Sequence, residues 1–187
     1  MDSISLAFWI KPDIAITINY GQLPAKAEIQ ASKMICKFLK IRHIVLDVDC
    51  SSLGSGDLSR NPKVHELAPV SEWWPYRNQL LVTLCAMKAI QFNVKTIYIG
   101  SVSNDDIHAD GTKEFYKKFA KVIGMQEGNI SLETPVINFS TVELIKKSKI
   151  PLSYLLLAHS CHKSNIPCMN CNGCDKYLFT LQNLGFD

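Results

Sequence analysis

The sequence predicts an α/β fold: a parallel sheet with helices on both faces. Three observations carry that expectation. Short β-branched segments alternate with segments of 3.6-residue apolar periodicity, the order of strand–helix–strand units. The strand candidates are apolar along their length, as strands covered on both faces are. Hydrophobic residues make up 47% and charged residues 20% of 187 residues, enough for a packed core and too apolar for a disordered chain. This length suits one domain. No run reaches the roughly 18 apolar residues of a membrane span. A net charge of +3 is too small to announce a nucleic-acid surface.

The elements follow in order. Residues 2–10 read as a helix with Asp2 or Ser3 as N-cap, ended by Lys11-Pro12. Residues 13–19 (DIAITIN) form a buried strand, and Tyr20-Gly21-Gln22 a loop. Pro24 suits a first helical turn, and Ala27, Ala31, Met34, Ile35, Phe38 and Leu39 give the stripe that runs to Lys40. Residues 42–48 are a second strand. Residues 49–74 lack a period and carry Gly54, Gly56, Pro62 and Pro69; so long a connection is usually functional, with Trp73 and Trp74 as packing or lid residues. Residues 76–92 form a helix apolar nearly all round, through Leu80, Leu81, Leu84, Cys85, Met87 and Ile90, and so expected to be well buried.

Residues 96–100 are a third strand, followed by a polar loop over 101–110. Phe115, Phe119, Val122 and Ile123 mark a helix with a lysine-rich far face, and residues 132–136 are a further strand candidate. Ser140 and Glu143 make a capping box that opens another helix. Residues 176–184 close the chain as a short helix. In such sheets ligands bind beyond the carboxyl ends of the strands, which singles out loops 20–22, 49–75 and 101–111.

Seven cysteines, an odd number, and a start (MDSISLAFWI) unlike a secretory signal point to a reducing, cytoplasmic setting. Cys36 and Cys85 lie in apolar helical patterns and read as small buried hydrophobes; Cys50 reads as a loop thiol. Cys161, Cys168, Cys171 and Cys174 are separated by six, two and two residues. Two-residue spacings let neighbouring thiolates converge on one ion. A four-cysteine set without a competing acid is the pattern of a closed structural zinc site. Asn172-Gly173 supplies the tight turn between the last two. An iron–sulfur cluster is the rival, since similar runs hold clusters. The five histidines show no metal spacing.

Several stretches, taken together and in order, resemble the 7-cyano-7-deazaguanine synthase family, N-type ATP pyrophosphatases (PP-loop enzymes) of deazapurine and queuosine-precursor biosynthesis. Asn19-Tyr20-Gly21-Gln22 with Ala27-Glu28-Ile29 is similar to the family's D-Y-G-Q…A-E-I. Trp74-Pro75-Tyr76-Arg77-Asn78 resembles its P-G-R-N. Gly100-Ser101, Asp105, Asp110 and Glu114-Phe115 resemble its G-x4-D…D-x3-E-F loop, and Glu133-Thr134-Pro135 its E-T-P. Ser160-Cys161 with Cys168, Cys171 and Cys174 matches its zinc site.

The resemblance implies a Rossmann-like parallel sheet of the adenine nucleotide alpha hydrolase type. Residues 1–150 would be the nucleotide-binding part and residues 151–187 a helical zinc-binding segment of the same domain. It implies Zn²⁺, ATP and Mg²⁺ as cofactors. It implies a reaction in which ATP activates 7-carboxy-7-deazaguanine as an acyl-adenylate. Ammonia then forms the amide, and a second activation dehydrates it to the nitrile. It implies Asp2 and Ser3 as catalytic phosphate-loop residues, Tyr20, Gln22, Arg77 and Asn78 on the nucleotide, and Asp105 and Asp110 on the substrate. It implies small-molecule partners and a homodimer, with neither membrane nor nucleic acid.

One departure stands out. The family's phosphate loop reads S-G-G-x-D-S after a first strand, and Met1-Asp2-Ser3 resembles only its last three residues. The expected explanation is that the strand and Ser-Gly-Gly lie upstream in frame; a completing partner chain and a degenerate, non-catalytic relative are the alternatives. The missing strand is a central one, so its two neighbours would each lack a ladder partner. Thr141-Val142-Glu143 and Gly111-Thr112 also differ from the family's usual residues and bear on the exact acyl substrate. A pyrophosphatase that adenylates a tRNA base for thiolation, and a zinc-bound scaffold, are the competing functions.

Overall fold

A computed structural model describes residues 1–186. The chain divides into two compact units. The first holds Met1, Ser3–Pro75 and the chain from Thr141 onward; the second holds Asp2 and Tyr76–Ser140.

In the first unit, α1 (Asp2–Ile10) leads to β1 (Ile14–Asn19), α2 (Ala25–Leu39) and β2 (Arg42–Asp47). Met1, rather than Asp2 or Ser3, occupies the N-cap of α1. Lys11 stops the helix in the left-handed region (φ 52°), its N–H reaching the Ala7 carbonyl, and Pro12 cannot extend it. Pro24 caps α2, and Lys40 (φ 58°) ends it with N–H bonds to the Cys36 and Lys37 carbonyls. The α2 stripe turns Ala31, Ile35 and Cys36 inward. β1 and β2 pair in parallel, from Ile14 opposite Arg42 to Asn19 opposite Asp47. In chain order after the second unit, α5 (Thr141–Ser148), α6 (Leu152–Leu155) and α7 (Asn172–Asn183) complete the first. Its core joins Phe8, Ile35, Ile145, Ile150 and Leu155. Phe38 and Tyr154 stack beside it with ring centroids 3.8 Å apart.

In the second unit, α3 (Arg77–Ile90), β3 (Thr96–Tyr98), α4 (Lys113–Gly124) and β4 (Ser131–Glu133) surround a core of Val82, Ala89, Ile97, Tyr116, Ile123, Ile130 and Leu132. β3 and β4 are parallel, Thr96 opposite Ser131 through Tyr98 opposite Glu133.

The α/β class and the parallel pairing agree with the sequence. The pairing forms two two-stranded sheets, one in each unit, instead of a single one. Among the described residues β1 therefore has β2 as its one ladder neighbour, and β3 has β4. Helix α3 departs from expectation. Only Val82 and Ala89 are fully buried, while Met87 and Ile90 are 63% and 49% exposed. A two-stranded sheet with three-residue strands covers one stripe of a helix, not its whole circumference. Helix α7 begins four residues earlier than predicted because the last two cluster cysteines enter its N-cap and first turn. Cys50, expected as a loop thiol, is buried just after β2, its N–H bonded to the Tyr20 carbonyl.

Candidate functional site

The structure assembles three groups of site residues. In the first unit, β1 runs into Tyr20-Gly21-Gln22. Gly21 has φ 97° and lies against Ser51 so closely that a Cβ would stand 2.9 Å from the Ser51 Cβ, which is why glycine occupies the turn. Tyr20 is buried edge-on against Trp74, ring centroids 4.9 Å apart. Gln22 is buried and braces the turn: its Oε1 accepts from the Tyr20 N–H at 2.9 Å, and its Nε2 donates to the Ile18 carbonyl (3.1 Å) and to Glu28 Oε2 (2.9 Å). Those bonds engage its amide within the chain.

In the second unit, Asn78 and Asp110 come together, 32 residues apart in sequence. Asp110 Oδ2 accepts the Asn78 backbone N–H at 2.8 Å, and the Asn78 amide donates to the Asp110 carbonyl at 3.2 Å. Asp110 thus satisfies an open N–H in the first turn of α3, with its charge at the favourable end of the helix. Asp105 holds its own loop by accepting the Val102 N–H at 3.0 Å. The buried Tyr116 hydroxyl meets Ser101 Oγ at 2.7 Å. Burial pushes the Tyr116 phenol up to about 12 against the opposing Ser101 hydrogen bond. The charges of Asp110 and Asp105 reinforce the rise, and Arg77 works against it. Arg77, Asp105, Asp110, Ser101 and Tyr116 therefore share one electrostatic neighbourhood. The Ser101–Tyr116 pair has no signature in the sequence, because a serine and a tyrosine fifteen residues apart carry no spacing signal.

The third group is the cysteine knuckle. The Sγ atoms of Cys161, Cys168, Cys171 and Cys174 all lie within 4.8 Å of one another, and Cys168 and Cys174 are 3.9 Å apart. Backbone N–H groups point at sulfur, from His162 to Cys171 and from Asn170 to Cys168, both at 3.4 Å. Burial would raise the Cys161 thiol, but the N–H groups of Cys168, Lys163 and Ser164 and the Cys168 side chain bring it down to about 7. Burial and the neighbouring thiols drive Cys174 the other way, to about 12, against the Met169 N–H. One thiolate is thus favoured and further ones are opposed, a conflict that a cation at the centre removes. The donor set fits a metal. Among the described residues it is the one group of three or more His, Cys, Asp or Glu side chains that could hold an ion. Gly173 is required here, since a Cβ would overlap the Ser160 carbonyl oxygen.

Asp2 and Ser3 open α1, Asp2 grouping with the second unit and Ser3 with the first. No helix of the described chain is long and apolar enough to cross a membrane.

Comparison with known proteins adds to this geometry. The family model described as queuosine biosynthesis protein QueC matches residues 1–185. The chain belongs to the QueC family. Curated relatives named 7-cyano-7-deazaguanine synthase include one from Methanocaldococcus jannaschii, 28% identical over 86% of this chain and 79% of its own. One from Methanosphaera stadtmanae is 29% identical over 91% and 84%. One from Campylobacter jejuni is 28% identical over 100% and 91%. Among solved structures, a U34-tRNA thiolase from Methanococcus maripaludis with its 4Fe-4S cluster superposes with a TM-score of 0.52 at 17% identity. The match covers 98% of this chain and 62% of the thiolase. At that identity the likeness is one of fold.

Proposed function

We propose that this chain carries the QueC family reaction: ATP-dependent conversion of 7-carboxy-7-deazaguanine and ammonia to 7-cyano-7-deazaguanine, through an acyl-adenylate and an amide. The observation that carries the reading is the family match along essentially the whole chain, together with the cysteine knuckle at its end. A carboxylate is a poor electrophile, and adenylation gives it a good leaving group. Asp2 and Ser3 would meet the nucleotide at the amino end of α1, where open N–H groups suit phosphate. Tyr20 and Gln22 would shape the nucleotide side of the β1 turn. Arg77 would neutralise charge developing on phosphate or carboxylate, and Asn78, Asp105 and Asp110 would orient the purine. ATP with Mg²⁺ would supply the activating phosphate chemistry.

Zinc is the metal we assign to the knuckle. Four sulfurs at about 2.3 Å from one tetrahedral ion stand roughly 3.8 Å apart, close to the 3.9 Å between Cys168 and Cys174. A cluster interposes several irons and holds its thiolates wider. Thiolation of a tRNA base is supported only by fold likeness to the thiolase. Two of the three cysteines outside the knuckle suit sulfur chemistry poorly: burial raises the thiol of Cys36, and that of Cys85 to about 11.

The test is release of pyrophosphate from ATP by the purified protein, with and without 7-carboxy-7-deazaguanine and ammonia. Release that requires 7-carboxy-7-deazaguanine is the expected result. A zinc-loaded protein that releases none would leave the scaffold reading in its place.

A further inference from the structure

The loop after β2 is tied to the knuckle by side chains that neither the metal nor the proposed chemistry uses. Glu72 is 8% exposed. Its two carboxylate oxygens accept from the Asn172 amide at 2.9 and 3.2 Å. Asn172 sits between the ligands Cys171 and Cys174 and opens α7. His162, next to Cys161, places Nδ1 4.0 Å from Glu72 Oε1. A second tie lies alongside. Lys163 Nζ is 3.5 Å from Asp57 Oδ2 and donates to the Asn170 carbonyl at 2.9 Å, while Ser71 Oγ donates to Asp57 at 2.8 Å. A third reaches the start of α2, where Asn165 Oδ1 accepts the Ala27 N–H at 2.8 Å. All of these knuckle residues lie close in sequence to a cluster cysteine.

We propose that Glu72 is a positioning residue through which metal loading of the four-cysteine site orders the loop over residues 55–72. A buried carboxylate is tolerated only while its hydrogen bonds hold. With the four thiolates drawn onto one ion, Asn172 is fixed where Glu72 needs it. Without the ion, the segment from Cys161 to Cys174 has little regular structure to hold its shape. Asn172 then drifts, and Glu72 returns to water and takes the loop with it. The metal is thereby coupled to a loop at the carboxyl end of the β1–β2 sheet, where ligands of such sheets bind. The inference rests on the reading of the four cysteines as a metal site, independently of which substrate the protein takes.

Hydrogen exchange over residues 55–72 tests it, with metal content measured in parallel by elemental analysis. The samples are the full chain with metal, the chain after chelation, Glu72→Ala, Glu72→Gln and Asn172→Ala. Chelation is expected to speed exchange in this loop about tenfold or more. Glu72→Ala and Asn172→Ala, which cut the same bond from opposite sides, should match that acceleration with metal still bound. Chelation of Glu72→Ala should add much less in the loop than chelation of the unaltered chain, because only the Lys163–Asp57 tie then remains to be released. Glu72→Gln, which keeps one acceptor, should recover part of the protection. Unchanged exchange on chelation, or in both metal-loaded alanine variants, would overturn the proposal. Glu72→Ala should in turn weaken metal binding by about the same factor as the loop protection it removes, and a weakening far beyond that factor would overturn the proposal, since the residue would then hold the site together directly. A chain that binds no metal at all would sink the metal reading as well, and elemental analysis tells that failure apart.

Discussion

The Tyr116 hydroxyl and Ser101 form a buried pair whose consequences are measurable. Tyr116→Phe leaves the Ser101 hydroxyl without that partner, which costs about 1–3 kcal/mol at neutral pH. The pH dependence has a definite sign. The folded phenol titrates at about 12, above the ordinary value of 10.0, so the native state favours the neutral form. That stabilisation is fully present below about pH 10 and disappears as the pH climbs through about 12. The stability difference between wild type and Tyr116→Phe, from denaturant titrations between about pH 8 and 12, should shrink by about 2–3 kcal/mol at the alkaline end. A difference that stays flat over that range would remove the buried-phenol account. Asp110 makes a second case. Replacing it with alanine strips the amino end of α3 of its carboxylate, at about 0.5–2 kcal/mol. Far-UV melting reads that cost. A loss of substrate binding well beyond it would mark Asp110 as a substrate contact too.

At the scale of elements, the knuckle and α7 are one structure. Cys171 is the N-cap of α7 and Cys174 its third residue, so metal binding and helix initiation share the same backbone. Gly173→Ala puts a methyl into the Ser160 carbonyl. It is expected to lower bound metal to well under one ion per chain and to fray α7, read by elemental analysis and by exchange of the α7 amides. The first turn of this helix is hidden in the sequence because Asn-Gly signals a turn, and the structure uses that turn inside the helix. Helix α3 differs from expectation for another reason. Its apolar residues lie all round, and periodicity cannot say how much sheet is available to cover them. The C-terminal stops of α1 and α2 are legible because each depends on residues within one turn, whereas the expected α2 stripe is buried only in part, with Met34 and Phe38 exposed.

For the whole molecule, metal removal should cost more than any single substitution named here. Binding of a metal by four thiolates would be folding energy for a segment with so little regular structure. Chelation should lower the thermal midpoint and abolish protection across the knuckle, while the β3–β4 unit, with its own core, keeps its exchange pattern. Loss of protection in both units together would show that they unfold as one. The α/β class, the order of elements and the identity of the four cysteines are all readable from sequence, since they rest on local periodicity and on residue types with few uses. The family resemblance found in the ordered motifs agrees with the match over residues 1–185. Of the proposed site residues, Asn78 and Asp110 are neighbours, and Gln22 is bonded within its own turn.

The sequence alone therefore determined the order of the main strands and helices, that the strands pair in parallel, and which side chains can take a metal. Tertiary structure decided that the strands form two pairs, that Glu72 meets Asn172 a hundred residues away, and that Ser101 meets Tyr116. Periodicity and spacing are short-range properties of the chain. Buried polar pairs between distant residues arise only when folding removes water and each polar group must find a partner inside.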